Sequence, residues 1–187
     1  MKRGVISAVL VSLAAASPAH AQSVLESGFA GALRGCEEWV LNPTSWSNGA
    51  TAFVSAVGLG DKMGLVDRVE DVQLPPKPFR VANHFWRMNS TNGAGYMLIV
   101  SDRLPICHIT GGGDTDLQPA VSSVLASAAF NGRWKLLKTS AIGDMVTSEF
   151  QSRTEPAFSI VISRADKPGE RLDRVQVIAT AQFQTGK

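Results

Sequence analysis

The side chains beyond residue 21 that could do covalent chemistry are two cysteines, Cys36 and Cys107, and two histidines, His84 and His108. A cysteine becomes a nucleophile when a basic or imidazole neighbour lowers its pKa and solvent reaches the thiolate. His108 follows Cys107 directly, but consecutive residues of a strand point to opposite faces, so these two side chains are not expected to meet. His84 would have to approach Cys107 from another strand. The residue types therefore allow a thiol site without predicting one.

A disulfide between Cys36 and Cys107 is the simpler role for the cysteines. One lies on the apolar stripe of a predicted helix and the other on a predicted buried strand. Paired cysteines are typical of proteins that fold in oxidising compartments. This bond would close a loop of about 70 residues and would stabilise the fold by about 4 kcal/mol on the chain-entropy argument. We therefore predict a crosslink between the two cysteines.

Other motifs that carry chemistry are missing from the sequence. The histidines, cysteines and carboxylates show no metal-ligand spacing, so we expect no metal site. The glycine-rich run at residues 111–113 lacks the lysine and hydroxyl residue of a phosphate loop and the spacing of a dinucleotide loop, so we expect no cofactor. No serine lies in a G-x-S-x-G turn. A set of catalytic residues is therefore not recognisable.

Aromatic side chains offer a candidate binding patch. Trp46 follows the first predicted helix, while His84, Trp86 and Arg87 lie together after a proline-rich connection. Tryptophan and arginine are enriched at binding hot spots, so these four residues would form a recognition patch if they were exposed together. The alternative is that they pack in the core and at its edge, as large aromatic side chains often do.

The first 21 residues are typical of a secretory signal peptide. Lys2 and Arg3 give a positive start, residues 5–16 form a short apolar run, and Ala21 ends a small-x-small cleavage pattern. The apolar run is shorter than the roughly 20 residues that a membrane span needs. We therefore predict cleavage after Ala21, a periplasmic or secreted location, and one globular domain over residues 22–187 without a membrane span.

The charge of the predicted mature chain argues against nucleic acid as a partner. The whole sequence has a formal net charge of +2, and Lys2 and Arg3 account for this excess. The remaining chain is formally neutral, whereas proteins that bind nucleic acid carry a basic patch or stripe. We expect a protein or a cell-envelope component as the partner. The sequence leaves the oligomeric state open.

Helical periodicity marks three segments. In residues 23–41 the apolar side chains recur at steps of three or four and form one stripe, which includes the first cysteine. Pro43 should end this helix, because proline disfavours helical geometry in the residue before it. A second, shorter helix is predicted over residues 51–59. A third is predicted over residues 117–130, after the glycine-rich run, which is expected to form a flexible turn.

The other segments with regular patterns are strands. Residues 97–100 are apolar on both faces, which predicts a central strand covered on both sides, and residues 106–109 resume the pattern after a turn. Further strands are predicted over residues 79–88, 134–138, 145–153, 158–164 and 174–183. Residues 61–78 are expected to form an extended, irregular connection. The order ααβββαββββ predicts an α+β fold, with a mainly antiparallel sheet and helices packed on one side.

The layout resembles that of a group of small exported proteobacterial proteins. The matching pieces are FAGALRGCEEW, AVGLG, YMLIVSDRLPICHIT and LQPAVSSVLASAAF. In this layout one cysteine lies on a helix, and the other lies on a strand that precedes the next helix. The resemblance covers most of residues 22–187. It implies a disulfide and an exported domain, and it assigns no catalytic residues.

Two functions from different classes follow from these features. The first is a non-enzymatic protein that binds a protein or an envelope component, because a crosslinked core occurs here without a recognisable catalytic set. The second is an envelope hydrolase whose general base is His84 or His108. Exposure of the aromatic side chains discriminates the first function: if Trp46, Trp86 and Arg87 are buried or scattered, the proposed binding face is wrong. A pocket that holds either histidine near a serine, cysteine or carboxylate would favour the second.

Overall fold

A computed structural model of the chain describes residues 18–88, 91–172 and 175–183. The helices are α1 (Pro18–Leu41), α2 (Thr44–Ser47), α3 (Ala50–Val57), α4 (Gln118–Ala126) and α5 (Ala128–Arg133). The strands are β1 (Met63–Val66), β2 (Asn83–Met88), β3 (Ala94–Ser101), β4 (Ile106–Gly113), β5 (Trp134–Ile142), β6 (Met145–Ser152), β7 (Phe158–Ala165) and β8 (Val175–Phe183). Residues 1–17 of the predicted signal peptide lie outside the described residues. Among the described residues, no helix combines the length and apolar character that crossing a membrane requires.

The eight strands form one sheet with the order β1-β2-β3-β4-β8-β7-β6-β5. Every pair of neighbouring strands is antiparallel. β4 and β8 lie side by side in the middle of the sheet, so α4 and α5 carry the chain from β4 to the edge strand β5. The helices pack on one side of the sheet, which confirms the predicted α+β fold.

α1 lies across β3 and β4 because its buried stripe contains residues small enough for close contact. A Cβ atom on Gly35 would lie only 2.8 Å from Leu98 Cδ2 of β3, which is too close for a side chain. Because glycine has no Cβ atom, α1 can pack this closely on the strand. One residue later, the disulfide between Cys36 and Cys107 joins α1 to β4, with the Cα atoms 5.5 Å apart. Both cysteines are fully buried. The predicted crosslink is confirmed, and it holds α1 on the central strands.

A second set of contacts joins α1 to the edge of the sheet. Glu37 accepts hydrogen bonds from Trp134 Nε1 at 2.9 Å and from Arg133 Nη1 at 2.8 Å. Burial raises the pKa of Glu37, while the charge of Arg133 and the hydrogen bond from Trp134 oppose that rise. Trp134 is itself buried and packs against Phe130 and Phe158. α1 therefore contacts both halves of the sheet.

The face of the sheet away from the helices is also partly covered. Leu98 and Ile99 are both fully buried although they point to opposite faces of β3, which confirms the predicted central strand. The connection over residues 67–82 reaches this second face, where Ser101 Oγ donates a hydrogen bond to Val81 O at 2.6 Å. The middle of the sheet is thus buried on both sides.

Three parts of the chain differ from the sequence-based expectations. The segment expected to be irregular contains β1, a strand of four residues that pairs with β2. The third predicted helix is two helices, because Ser127 takes an extended conformation and its Oγ caps α5 by accepting a hydrogen bond from Phe130 N at 3.1 Å. The glycine-rich run at residues 111–113, expected in a turn, belongs to β4. With the short helix α2 added, the observed order is αααββββααββββ.

Candidate ligand-binding site

A pocket of about 260 Å³ opens where the C-terminal end of α1 meets α2, α3, β1 and β2. Four of its nine lining residues carry indole or phenyl rings, and the lining also contains one carboxylate and one imidazole. The described residues that line this aromatic pocket are Trp39, Trp46, Gly49, Ala50, Phe53, Leu65, His84, Trp86 and Asp102. Gly49, Ala50 and Leu65 are exposed and form its rim.

Trp39 and Trp46 form one wall of the aromatic pocket, and the local sequence explains their contact. α1 ends at Leu41 before Pro43, and the chain turns at once into α2. The turn brings the two indole rings nearly parallel, with centroids 4.5 Å apart and 7° between their planes. Trp46 Nε1 donates a hydrogen bond to Trp39 O at 3.0 Å, and Trp39 Nε1 donates one to Ser101 O at 2.9 Å. Both rings are therefore held in place, and both ring N–H groups already have acceptors.

Phe53 of α3 and Trp86 of β2 form the back of the aromatic pocket. Phe53 meets Trp39 edge to face with centroids 5.0 Å apart, and its centroid lies 5.1 Å from that of Trp86. Phe53 is fully buried and Trp86 is 3% exposed, so these rings belong to the core as well as to the pocket. Trp86 Nε1 is buried and has no hydrogen-bond partner among the described residues. Aromatic rings from four elements therefore meet at one cavity.

His84 and Asp102 supply the charged and titratable groups of the aromatic pocket. His84 lies two residues before Trp86 on β2, so both side chains point to the helix-covered face. His84 pairs with Val100 on β3, and Asp102 follows that strand. His84 Nε2 and Asp102 Oδ2 are 2.8 Å apart, with side chains 39% and 41% exposed. At this exposure the pair adds at most about 1 kcal/mol to stability, and its main effect is to orient the two side chains.

Arg87 lies on the other face of the sheet. Neighbouring residues of a strand alternate between faces, so Arg87 points away from Trp86 and lines a separate pocket of about 460 Å³ beside Met97. Of the four residues predicted to form one binding patch, the structure brings Trp46, His84 and Trp86 together at the aromatic pocket and leaves Arg87 out. Trp86 is moreover a buried wall of this pocket and not an exposed anchor, so the four residues do not form the single exposed face that the sequence suggested.

Sequence reasoning did not include Phe53, Leu65 or Asp102 in the binding patch. Phe53 has the pattern of an ordinary core residue in a short helix, and Asp102 that of a polar turn residue. The pairing of β2 with β3 and the packing of α3 bring them together. Strand alternation was the available signal for Arg87, because it separates this residue from Trp86.

His108 and the cysteines do not line the aromatic pocket. His108 is 4% exposed, and its Nδ1 lies 2.8 Å from Thr180 Oγ1. Burial lowers the pKa of His108 to about 4, so its ring is neutral at pH 7. Cys36 and Cys107 are bonded to each other and carry no free thiol. His84 is therefore the histidine that the aromatic pocket exposes to a ligand.

The aromatic pocket can hold a group through ring faces, one carboxylate and one imidazole. None of its described lining residues carries a hydroxyl or a thiol that could serve as a nucleophile. Within the described ranges, no group of three or more His, Cys, Asp and Glu side chains is placed to hold a metal ion. No protein-family model, curated protein or solved structure matches this chain.

Proposed function

We propose that the protein is a non-enzymatic binding protein of the bacterial periplasm or exterior and that the aromatic pocket is its binding site. Its partner, a protein or a cell-envelope component, inserts a small group between Trp46, His84 and Trp86. The observation that carries this proposal is the convergence of four aromatic rings from four elements on one pocket. Aromatic side chains bury large areas and dominate the energetics of binding sites.

The rim of the aromatic pocket supports the same function. Leu65 is 53% exposed and Trp46 is partly exposed, so apolar surface continues from the cavity to the outside. A single exposed leucine is ordinary, but this one adjoins a lining of aromatic rings. Covering apolar surface contributes about 25 cal/mol for each Å² removed from water. A partner that fills the pocket therefore gains further by covering its rim.

The disulfide keeps the aromatic pocket preformed. Cys36 and Trp39 are three residues apart on α1, about one helical turn, so the bond to Cys107 anchors the helix next to the pocket wall. Trp39 Nε1 adds a second anchor through its hydrogen bond to Ser101 O. A site that is rigid before binding loses less conformational entropy when the ligand arrives.

Export is part of this proposal. A buried disulfide suits an oxidising compartment, and the predicted signal peptide over residues 1–21 gives the route there. We expect protein recovered from its exporting host to have a mass that begins at Gln22, with neither cysteine alkylated when no reductant is added. A mass that retains residues 1–21, or alkylation of both cysteines, would contradict export with the crosslink formed.

Retention of an envelope component tests the binding site. Wild type, Trp46→Ala and the control Leu136→Ala, which truncates a 54% exposed leucine of β5, are immobilised and incubated with a solubilised envelope fraction. We expect a component that mass spectrometry identifies to be retained by wild type and by the control and lost with Trp46→Ala. The purified component should behave in the same way. Equal retention by all three proteins would exclude the aromatic pocket as the site.

A second candidate function is an envelope hydrolase with His84 as general base. The observation that favours it is the 2.8 Å contact between His84 Nε2 and Asp102 Oδ2, because a carboxylate can orient an imidazole for proton transfer. Water would be the nucleophile, since the described lining offers no hydroxyl or thiol. Turnover of a peptidoglycan, ester or amide substrate that falls at least about 100-fold in His84→Gln would favour this function. Equal rates for wild type and His84→Gln would exclude it.

A further inference from the structure

We infer that the group bound in the aromatic pocket is a small organic cation, with a methylated ammonium as its best representative. This inference rests on the proposed binding function and adds the chemical class of the ligand. Three properties of the described lining carry it: its aromatic rings, the hydrogen bonds already made by two of its three indoles, and the sign of its charge.

The aromatic lining favours a cation. Trp39, Trp46, Phe53 and Trp86 line the cavity, and a cation near the electronegative face of an aromatic ring is attracted to it. Tryptophan gives the strongest attraction of the aromatic side chains. Rings from four elements approach the cavity from different directions, so a compact cation can contact more than one of them.

The hydrogen-bond inventory leaves few groups for a ligand rich in hydroxyl groups. Trp39 Nε1 and Trp46 Nε1 already donate to backbone carbonyls, whereas Trp86 Nε1 is buried and has no partner among the described residues. Among the described lining side chains a sugar could bond to His84, Asp102 and Trp86 Nε1, which are fewer groups than its hydroxyls would need once water is excluded. A quaternary ammonium has no N–H or O–H group, so its burial in the pocket leaves no ligand donor without a hydrogen-bond partner.

The charge of the lining has the sign that a cation requires. Asp102 is the acidic residue among the described lining residues, which include neither lysine nor arginine. Its Oδ2 contacts His84, and its side chain remains 41% exposed at the pocket. The Asp102 carboxylate in the lining attracts a cation and repels an anion.

The size of the pocket limits the ligand to a small one. A cavity of about 260 Å³ lies below the roughly 300–1,000 Å³ typical of small-molecule sites. A methylated ammonium group suits this space, either as a free solute or as the head group of a zwitterionic lipid. Both sources present the same chemistry to the pocket.

Titration with choline and with its neutral isostere 3,3-dimethylbutan-1-ol tests the inference, with tryptophan fluorescence and calorimetry as readouts. The two compounds have nearly the same shape and differ in charge. We expect choline to bind at least about fivefold more tightly than the alcohol. Asp102→Asn should weaken choline binding about fivefold or more and leave the alcohol unchanged. Asp166→Asn, an exposed aspartate at the opposite end of the strands, is the matched control and should bind choline like wild type.

Two variants at Trp46 separate the π contribution from apolar contact. Trp46→Phe keeps an aromatic face and should retain choline binding within a few-fold. Trp46→Leu keeps an apolar side chain without a π face and should lose most of the preference for choline over the alcohol. Circular dichroism establishes that each variant is folded before its binding is measured.

The outcomes distinguish this inference from the proposed function. If the alcohol binds as tightly as choline and Trp46→Leu has no effect on their ratio, the pocket binds ligands but the cationic class is wrong. If neither compound binds and the envelope component is retained equally by wild type and Trp46→Ala, both the inference and the proposed function fail. Binding to phosphatidylcholine vesicles that Asp102→Asn abolishes would identify the head group as the source. Choline binding without vesicle binding would identify a free solute, and binding to phosphatidylglycerol vesicles in place of choline would overturn the inference.

Discussion

Trp46 stacks on Trp39 with their ring centroids 4.5 Å apart, although Trp39 lies near the end of α1 and Trp46 belongs to α2. Trp39 is 5% exposed, whereas Trp46 is partly exposed, so Trp46 shields one face of Trp39 from water. The hydrogen bond from Trp46 Nε1 to Trp39 O fixes the geometry. One contact therefore closes the core and shapes the wall of the aromatic pocket.

Removing the Trp46 ring should cost stability as well as binding. We expect Trp46→Ala to lower the free energy of unfolding by about 2 kcal/mol, less than the roughly 3–5 kcal/mol of a fully buried aromatic residue. Trp46→Phe should lower it by about 1 kcal/mol, because part of the stacking remains. Urea denaturation followed by far-ultraviolet circular dichroism measures both changes. Leu136→Ala should be within about 0.5 kcal/mol of wild type. If Trp46→Ala had the same free energy of unfolding as wild type, the stack would make no contribution to stability.

The disulfide should be a major source of stability. Cys36 and Cys107 are separated by 71 positions, so the bond restricts a long loop in the unfolded chain. We expect the double variant Cys36→Ala/Cys107→Ala to lose about 4 kcal/mol of unfolding free energy. Urea denaturation of wild type with and without reductant should show a similar difference, while reductant should leave the double variant unchanged. A loss below about 1 kcal/mol would mean that packing alone holds α1 on the sheet.

Two glycines on helices should respond to alanine in opposite directions. A Cβ atom on Gly35 would lie 2.8 Å from Leu98 Cδ2 and 3.2 Å from Met88 Cε, so Gly35→Ala should lower the unfolding free energy by about 1–3 kcal/mol. A Cβ atom on Gly132 of α5 would meet no atom within 4 Å, so Gly132→Ala should raise it by about 0.5–1 kcal/mol through helix propensity. Thermal and urea denaturation compare the two variants. A higher unfolding free energy for Gly35→Ala would contradict the close packing of α1 on β3, and a lower one for Gly132→Ala would show that helix propensity does not decide its effect.

Much of this architecture could be predicted from local patterns, because periodicity reports burial directly. The apolar stripe of α1 predicted that Cys36 is buried, and the apolar run of β3 predicted burial of both Leu98 and Ile99. β1 was missed because its four residues carry little pattern and pair with β2, which begins only at Asn83. Alternation along a strand is local, whereas the choice of a neighbouring strand is a tertiary property.

The glycine-rich end of β4 shows why the amino-acid composition led to the wrong prediction of a turn there. Three consecutive glycines usually indicate a turn, but a Cβ atom on Gly111 would lie 2.7 Å from side-chain atoms of Tyr96 and Val177. Glycine fits here because its partners on the two neighbouring strands, Tyr96 of β3 and Val177 of β8, fill the space that a Cβ atom would need. The contact between His84 and Asp102 has a similar origin, since 18 positions separate them and the β2–β3 pairing alone brings them together.

His108 should make the stability of the protein depend on pH. Burial lowers its pKa to about 4 in the folded state, against 6.5 for an ordinary histidine. Between these values the unfolded chain binds the proton and the folded chain does not, so stability is complete above pH 6.5 and falls as the pH drops toward 4. The loss should reach about 3 kcal/mol and level off below about pH 4 for this group. Urea denaturation at a series of pH values measures it.

Comparison with His108→Gln isolates this contribution to the pH dependence. Glu37, whose pKa burial raises, acts in the opposite sense, because its protonation stabilises the folded state as the pH falls. His108→Gln removes the titrating group and can still bond to Thr180 Oγ1, so its stability should vary less between pH 6.5 and 4 than that of wild type. Ile106→Val, a smaller change on the same strand face, should cost about 1 kcal/mol at each pH and keep the wild-type slope. Parallel curves for wild type and His108→Gln would show that His108 is protonated as readily in the folded protein as in the unfolded chain.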